Sequence, residues 1–237
     1  MEPLSERLAR IRGRMEAALD RSGREPGSVR LLAVTKGFPA ATVREALALG
    51  LNEIAENRVQ EAERKLGELG RESPGADARW HLVGHLQSNK AKKAVELFDE
   101  IHSVDSAELA EELARRAATA GRSPHCYVEV NTSGDASKYG VAPEGARELL
   151  RRVRALDSLR LEGLMTIGPL HGGPEGARAS FRMLARIRDE ARDEGVFGGP
   201  GGLSMGMSDD FEIAVEEGAT IVRIGTALFG GRPGPAA

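Results

Sequence analysis

Lys36 follows a run of apolar and small residues in the segment LLAVTKGFP at 31–39. Such a run reads as a buried strand with a lysine at its C-terminal end. Apolar surroundings disfavour an ammonium and lower a lysine's pKa. The neutral amine is the form that condenses with an aldehyde. A lysine here could equally snorkel to the rim or pair with a carboxylate such as Glu56, and position alone leaves both readings open. A second segment, IVRIGTALFG at 221–230, places Gly225 and Thr226 after a strand and at the opening of a short helix. Backbone N–H groups at such an opening suit an anion. The nearby LSMGMS at 203–208 adds Ser204 and Ser208, and Arg223 could add a charge-assisted bond. Each glycine-bearing turn is weak alone. Two at adjacent strand ends make a phosphate cradle.

The elements that must position these groups alternate along the chain. Leu4, Leu8, Ile11, Met15 and Leu19 form one apolar stripe of a helix over 3–22. Short runs rich in Val, Ile and Leu then appear near 31–35, 52–55, 80–83, 101–104, 125–130, 161–165, 202–204 and 220–224. Segments of helical periodicity separate them, near 39–49, 57–69, 88–97, 106–120, 143–155, 175–194 and 208–217. Ser106, Pro143 and Ser208 read as helix starts, and Gly50, Gly121, Gly195 and Gly218 as stops. Strands alternating with helices imply a parallel sheet. Eight such units over this length predict an α/β fold of one domain spanning 1–237, a (β/α)8 TIM barrel over about 30–230 with an extra N-terminal helix. The second and seventh strands are the weakest of the eight. In this fold functional side chains gather at the C-terminal strand ends, and the loops after strands seven and eight are the usual phosphate site. Closure makes strand one a neighbour of strand eight, which brings Lys36 to the cradle. A ligand carrying both an aldehyde and a phosphate describes pyridoxal 5′-phosphate. Phosphosugar aldolases combine the same two features, so spacing does not separate the two.

Composition narrows the class. The chain has 237 residues, 33 basic against 36 acidic, and a formal charge of −3. That balance gives no support to nucleic-acid binding. No stretch approaches the roughly 18 to 20 uncharged residues a membrane span needs. One cysteine, Cys126, excludes an intrachain disulfide and reads as a small core residue. With no signal-peptide pattern, a cytoplasmic protein is the expectation. The remaining candidates read as structure. His81, His85 and His102 lack metal-ligand spacing and read as hydrogen-bonded strand-end residues. Lys90, Lys92 and Lys93 form a solvated helix face, and Met165, Met205 and Met207 pack. The loop 168–176, GPLHGGPEG, is a candidate lid.

AVTK at 33–36, ENRVQE at 56–61, WHLVGHLQSNK at 80–90, HSVDS at 102–106, VNTSGDASKYG at 130–140, EGLMTI at 162–167, LSMGMSDDFEIAVEEGAT at 203–220 and VRIGTALFG at 222–230 resemble the YggS/PROSC family of pyridoxal phosphate homeostasis proteins. These matches run in order over nearly the whole chain. The resemblance implies a barrel like the N-terminal domain of alanine racemase, with pyridoxal 5′-phosphate held as a Schiff base on Lys36. It further implies that Ser204, Arg223, Gly225 and Thr226 hold the phosphate and that Asn57 lines the ring. The chain departs from the pattern at Ala55, where the family has a glycine, which bears on the backbone approach beside Asn57, and at Gly37 and Phe38.

The implied role is intracellular pyridoxal phosphate homeostasis by buffering or delivery, without established turnover, with pyridoxal-phosphate-dependent apoenzymes as recipients. The alternative is a pyridoxal-phosphate-dependent amino-acid racemase. Racemisation needs a second base facing the lysine across the cofactor. The tyrosines available for it are Tyr127, within a strand, and Tyr139, in a loop. A monomer is the expectation, since no apolar stripe beyond the first helix asks for a partner.

Overall fold

The computed structural model describes residues 2–70, 78–135, 137–169 and 171–231. Eight parallel strands close into a barrel in chain order, β1 pairing with both β2 and β8. The strands are β1 (Arg30–Val34), β2 (Glu53–Glu56), β3 (Arg79–Leu82), β4 (Glu100–Val104), β5 (His125–Glu129), β6 (Arg160–Met165), β7 (Gly202–Ser204) and β8 (Ile221–Ile224). The weak second and seventh strands are both present. Among the described residues, no helix is long and apolar enough to cross a membrane.

Alternation along each strand divides the core in two. Outward residues such as Ile54, Leu82, Ile101, Val128, Leu164, Leu203 and Val222 join the layer beneath the helices. Inward residues Leu32, Val34, Ala55, Val83, Tyr127, Met165 and Ile221 form a separate small cluster inside the barrel. Period two therefore tells which later residue of each strand reaches the mouth.

Helix α1 (Leu4–Arg21) buries Leu8, Ile11, Met15, Ala18 and Leu19, and Leu4 is half-buried. It packs against α8 (Phe211–Glu216) and α9 (Thr226–Phe229). Arg14 donates to both Glu212 carboxylate oxygens at 2.9 and 2.7 Å, and its guanidinium lies 4.6 Å from the Phe211 ring centroid. In α5 (Ala107–Ala120), the Ser106 hydroxyl accepts from Leu109 N at 3.3 Å, and Gly121 leaves the helix left-handed at φ 62°.

Two helix starts differ from expectation. α8 begins at Phe211, because Asp210 Oδ1 accepts from Met207 N at 2.6 Å and closes the turn ahead of it. Ser208 is thereby released from capping. α7 (Gly173–Asp193) begins with Gly173–Pro174, so residues 173–176 of the expected loop 168–176 are helical, and Leu170 within it lies outside the described residues.

Candidate functional site

Lys36 opens the turn that follows β1, two residues beyond the inward-facing Val34, and is half-buried. The preceding Thr35 faces the helices. Its hydroxyl bonds to Glu56, and its carbonyl accepts from Lys65 Nζ at 2.6 Å. Lys65 comes from α3 (Val59–Leu69), is fully buried, and also pairs with Glu56 at 2.5 Å and Glu61 at 3.0 Å. Burial raises the Glu56 pKa against these attractions. Glu56, offered by the sequence as a partner for Lys36, is thus engaged on the helix side of the wall.

Asn57 follows Glu56 and leaves β2 on the inward face, half-buried. The backbone approach that matters here comes from Gly84, not from position 55. A Cβ on Gly84 would sit 2.3 Å from Asn57 O and 2.8 Å from its Cα. Ala55 is buried in the inner cluster without conflict. The glycine in WHLVGHLQSNK was the available signal for this contact.

The β7 and β8 exits meet beside β1. A Cβ on Gly225 would lie 3.3 Å from Val34 O, so the start of α9 runs beside the end of the strand that leads to Lys36. The Ser208 hydroxyl accepts from Ala227 N at 3.1 Å, which places Ser208, Gly225 and Thr226 around one helix opening. Ser204 lies elsewhere. It is fully buried inside the barrel, its hydroxyl 2.9 Å from His102 Nδ1 and 2.8 Å from Arg223 Nη1.

Arg223 is buried with Ser204. Nη1 also donates to Ser204 O at 2.7 Å, and Nη2 donates to Thr166 O at 2.8 Å. Burial lowers its pKa to about 10, against the attraction of Glu129 and Asp210. Below it a series of close polar contacts runs along the barrel axis, hydrogen-bonded from Ser204 through His102 to His81 and ion-paired from His81 to Glu53. His102 Nε2 lies 3.2 Å from His81 Nδ1, and His81 Nε2 lies 2.7 Å from Glu53 Oε2. Burial pushes His102 down to about 4, so it is neutral and one ring nitrogen donates while the other accepts. A charged His81 donates from Nδ1 to His102 Nε2, which turns the His102 Nδ1–H toward Ser204. A neutral His81 that accepts at Nδ1 reverses the series. Burial alone would lower the His81 pKa, but its bonds to Glu100 and Glu53 raise it.

His81, Glu100 and His102 place ligating atoms within 4.8 Å of one another. The carboxylate that seemed missing near these histidines is Glu100, which shares a strand face with His102 two residues on. It already accepts from Arg30 at 2.9 and 3.1 Å and from Arg79 at 2.7 Å, so the cluster is a charge-compensated barrel floor. The Tyr127 hydroxyl accepts from Arg30 at 3.3 Å on that floor, far from the strand exits. Tyr139 is at the mouth, more than half exposed, its ring stacked on His85 with centroids 3.6 Å apart. A cleft of about 650 Å³ opens beside them, lined by Asn57, Gly84, His85, Gln87, Lys90 and Tyr139.

The alanine racemase N-terminal domain model matches residues 7–233. The pyridoxal phosphate homeostasis protein of Pseudomonas aeruginosa is 44% identical over 98% of this chain and 97% of its own. The chain belongs to the pyridoxal phosphate homeostasis protein family. A solved structure of PipY from Synechococcus elongatus with pyridoxal phosphate bound is 43% identical to this family member. It covers 96% of this chain and 100% of its own, with a TM-score of 0.84. Alanine racemase of Clostridium difficile, at 15% identity, shares the fold alone, with a TM-score of 0.74 over 94% of this chain and 59% of its own.

Proposed function

We propose that this protein binds pyridoxal 5′-phosphate at the barrel mouth, with Lys36 as its Schiff-base lysine, and acts in intracellular cofactor homeostasis by buffering or delivery. The observation that carries the reading is the convergence of the β1 exit, which presents Lys36, with the α9 opening at Gly225 and Thr226. The residues present fit the group. Gly225 lets backbone pass beside Val34, and Ser208 stands at the same opening with a hydroxyl suited to an anion. When bound, the cofactor supplies an aldehyde for a lysine amine to capture.

Asn57, braced by Gly84, borders the site from β2. Arg223 and Ser204 form its base, and their bonds to His102 and Thr166 O keep the guanidinium fixed. The phosphate contacts of this reading are Gly225, Thr226 and Ser208, with Ser204 acting through Arg223. Relatives named for pyridoxal phosphate homeostasis, and PipY with the cofactor bound, support the same ligand.

The test is the absorption spectrum of the purified protein before and after borohydride, followed by peptide mass mapping. A yellow protein whose adduct borohydride fixes onto the Lys36 peptide is the expected result. A protein that stays colourless after added pyridoxal phosphate overturns both this reading and the racemase alternative. Turnover of added amino acids by the yellow protein would favour the racemase.

A further inference from the structure

Glu129 ends β5 on the inward face, two residues after Tyr127 and in register with Met165, both members of the inner cluster. In an eight-stranded ring closed in chain order, β5 stands diametrically across from β1, so Glu129 and Lys36 occupy opposite walls of one mouth. The Glu129 residue is 4% exposed, and its Oε2 is buried without a hydrogen-bond partner in the described structure. An orphaned buried carboxyl oxygen carries a desolvation cost that no hydrogen bond repays. Its surroundings explain the state of the group. Asp105 faces it from the β4 exit, half-buried and paired with His85 at 3.3 Å, while Arg223 faces it from β8. β6 contributes the uncharged Met165, and the loop carrying Gly140 and Val141 contributes backbone that meets the Glu129 carbonyl. Burial first, and then Asp105, push the carboxyl up to about 7 against the pull of Arg223.

We propose that Glu129 is a ligand-contacting residue of the mouth, donating its carboxyl proton to an acceptor on the bound phosphorylated pyridine and withdrawing that bond when it ionises. This rests on the pyridoxal phosphate reading above and adds to it a residue that makes retention of the ligand depend on proton concentration. The neutral acid is a donor aimed at an electron-rich ligand. The carboxylate is an acceptor that adds a second negative charge beside Asp105 and repels a phosphate ester. Retention therefore weakens as pH rises through the Glu129 titration.

The experiment uses pyridoxine 5′-phosphate, whose alcohol in place of the aldehyde removes the lysine condensation from the titration. Its affinity is measured by calorimetry between about pH 6 and about pH 8.5 for the unsubstituted protein, Glu129→Gln and Glu129→Leu. The amide of Glu129→Gln keeps a donor at every pH. The unsubstituted protein is expected to lose on the order of tenfold more affinity across this range than Glu129→Gln, since each pH unit above the titration cuts the neutral fraction about tenfold. Glu129→Leu binds weakly throughout. Thermal melts confirm that each variant is folded. Parallel pH curves for the unsubstituted protein and Glu129→Gln overturn the proposal, as does Glu129→Leu binding as tightly as Glu129→Gln. Absence of pyridoxine 5′-phosphate binding by the unsubstituted protein at every pH also overturns it. If pyridoxal 5′-phosphate fails to bind as well, the cofactor reading itself has failed.

Discussion

Gly84 lies so close to Asn57 that the two exits, β2 and β3, meet backbone to backbone, with room for a hydrogen and none for a methyl. Gly84→Ala is therefore expected to push Asn57 from its place. The cost is about 1–3 kcal/mol of stability, as for other overpacking substitutions. Pyridoxal phosphate affinity should fall with it. Chemical denaturation and a ligand titration on the same preparation check both, and a variant of unchanged affinity would take Asn57 out of the site.

Lys36 sits in a turn at the rim, outside the inner cluster. Lys36→Ala should abolish the visible band and the borohydride-fixed adduct while changing stability by no more than about 1 kcal/mol. A variant that keeps the band would move the covalent anchor to another lysine.

Arg223 is buried among acceptors. Arg223→Gln leaves Ser204 O and Thr166 O short of a donor and removes the positive charge between Glu129 and Asp210. Leaving buried acceptors without such a donor costs about 1–3 kcal/mol. The variant should unfold at a lower denaturant midpoint and, where still folded, retain the cofactor more weakly in an equilibrium titration. A midpoint equal to that of the unsubstituted protein would contradict the burial described here.

The barrel floor gives a pH dependence. The folded His81 pKa is raised above its ordinary value near 6.5, its bonds to Glu100 and Glu53 outweighing burial. A group of this kind contributes stability fully present below pH 6.5, and that contribution is lost as pH rises through the folded value. Melting temperatures between about pH 5 and about pH 9 should fall on the alkaline side for the unsubstituted protein. His81→Gln should be less stable at the acid end and flatter across the range. Parallel curves for the two proteins would show that His81 does not carry the effect.

Much of this architecture was legible in the sequence. The alternation of short Val- and Leu-rich runs with helical stripes is what a parallel barrel requires, and even the three residues of β7 fell where expected. The meeting of the β1 exit with the Gly225 turn followed from closure, since a ring makes neighbours of its first and last strands. Side-chain direction was less legible. Ser204 and Ser208 belong to one short motif, yet one is turned into the barrel and the other to the α9 opening, because β7 ends at Ser204 and the chain turns at Gly206. The floor was hidden for a different reason. Arg30, Glu53, Arg79, His81 and Glu100 come from four strands, and cross-strand proximity leaves no local pattern. Glu129 was passed over because a glutamate at a strand end reads as solvated until its burial is known.

The bonds from α1 to α8 and the pairing of β1 with β8 join the first elements of the barrel to the last. Lys36 and the α9 opening directly follow those two strands. A nascent chain that has emerged through β7 holds the lysine, most of the barrel wall and an open seam with its edges unpaired. If the site is the one proposed, binding competence then arrives in a single closing event, when β8 zips the seam and α9 comes to rest against α1. A ribosome stalled before that point has made the wall that carries Lys36 and not the α9 opening beside it.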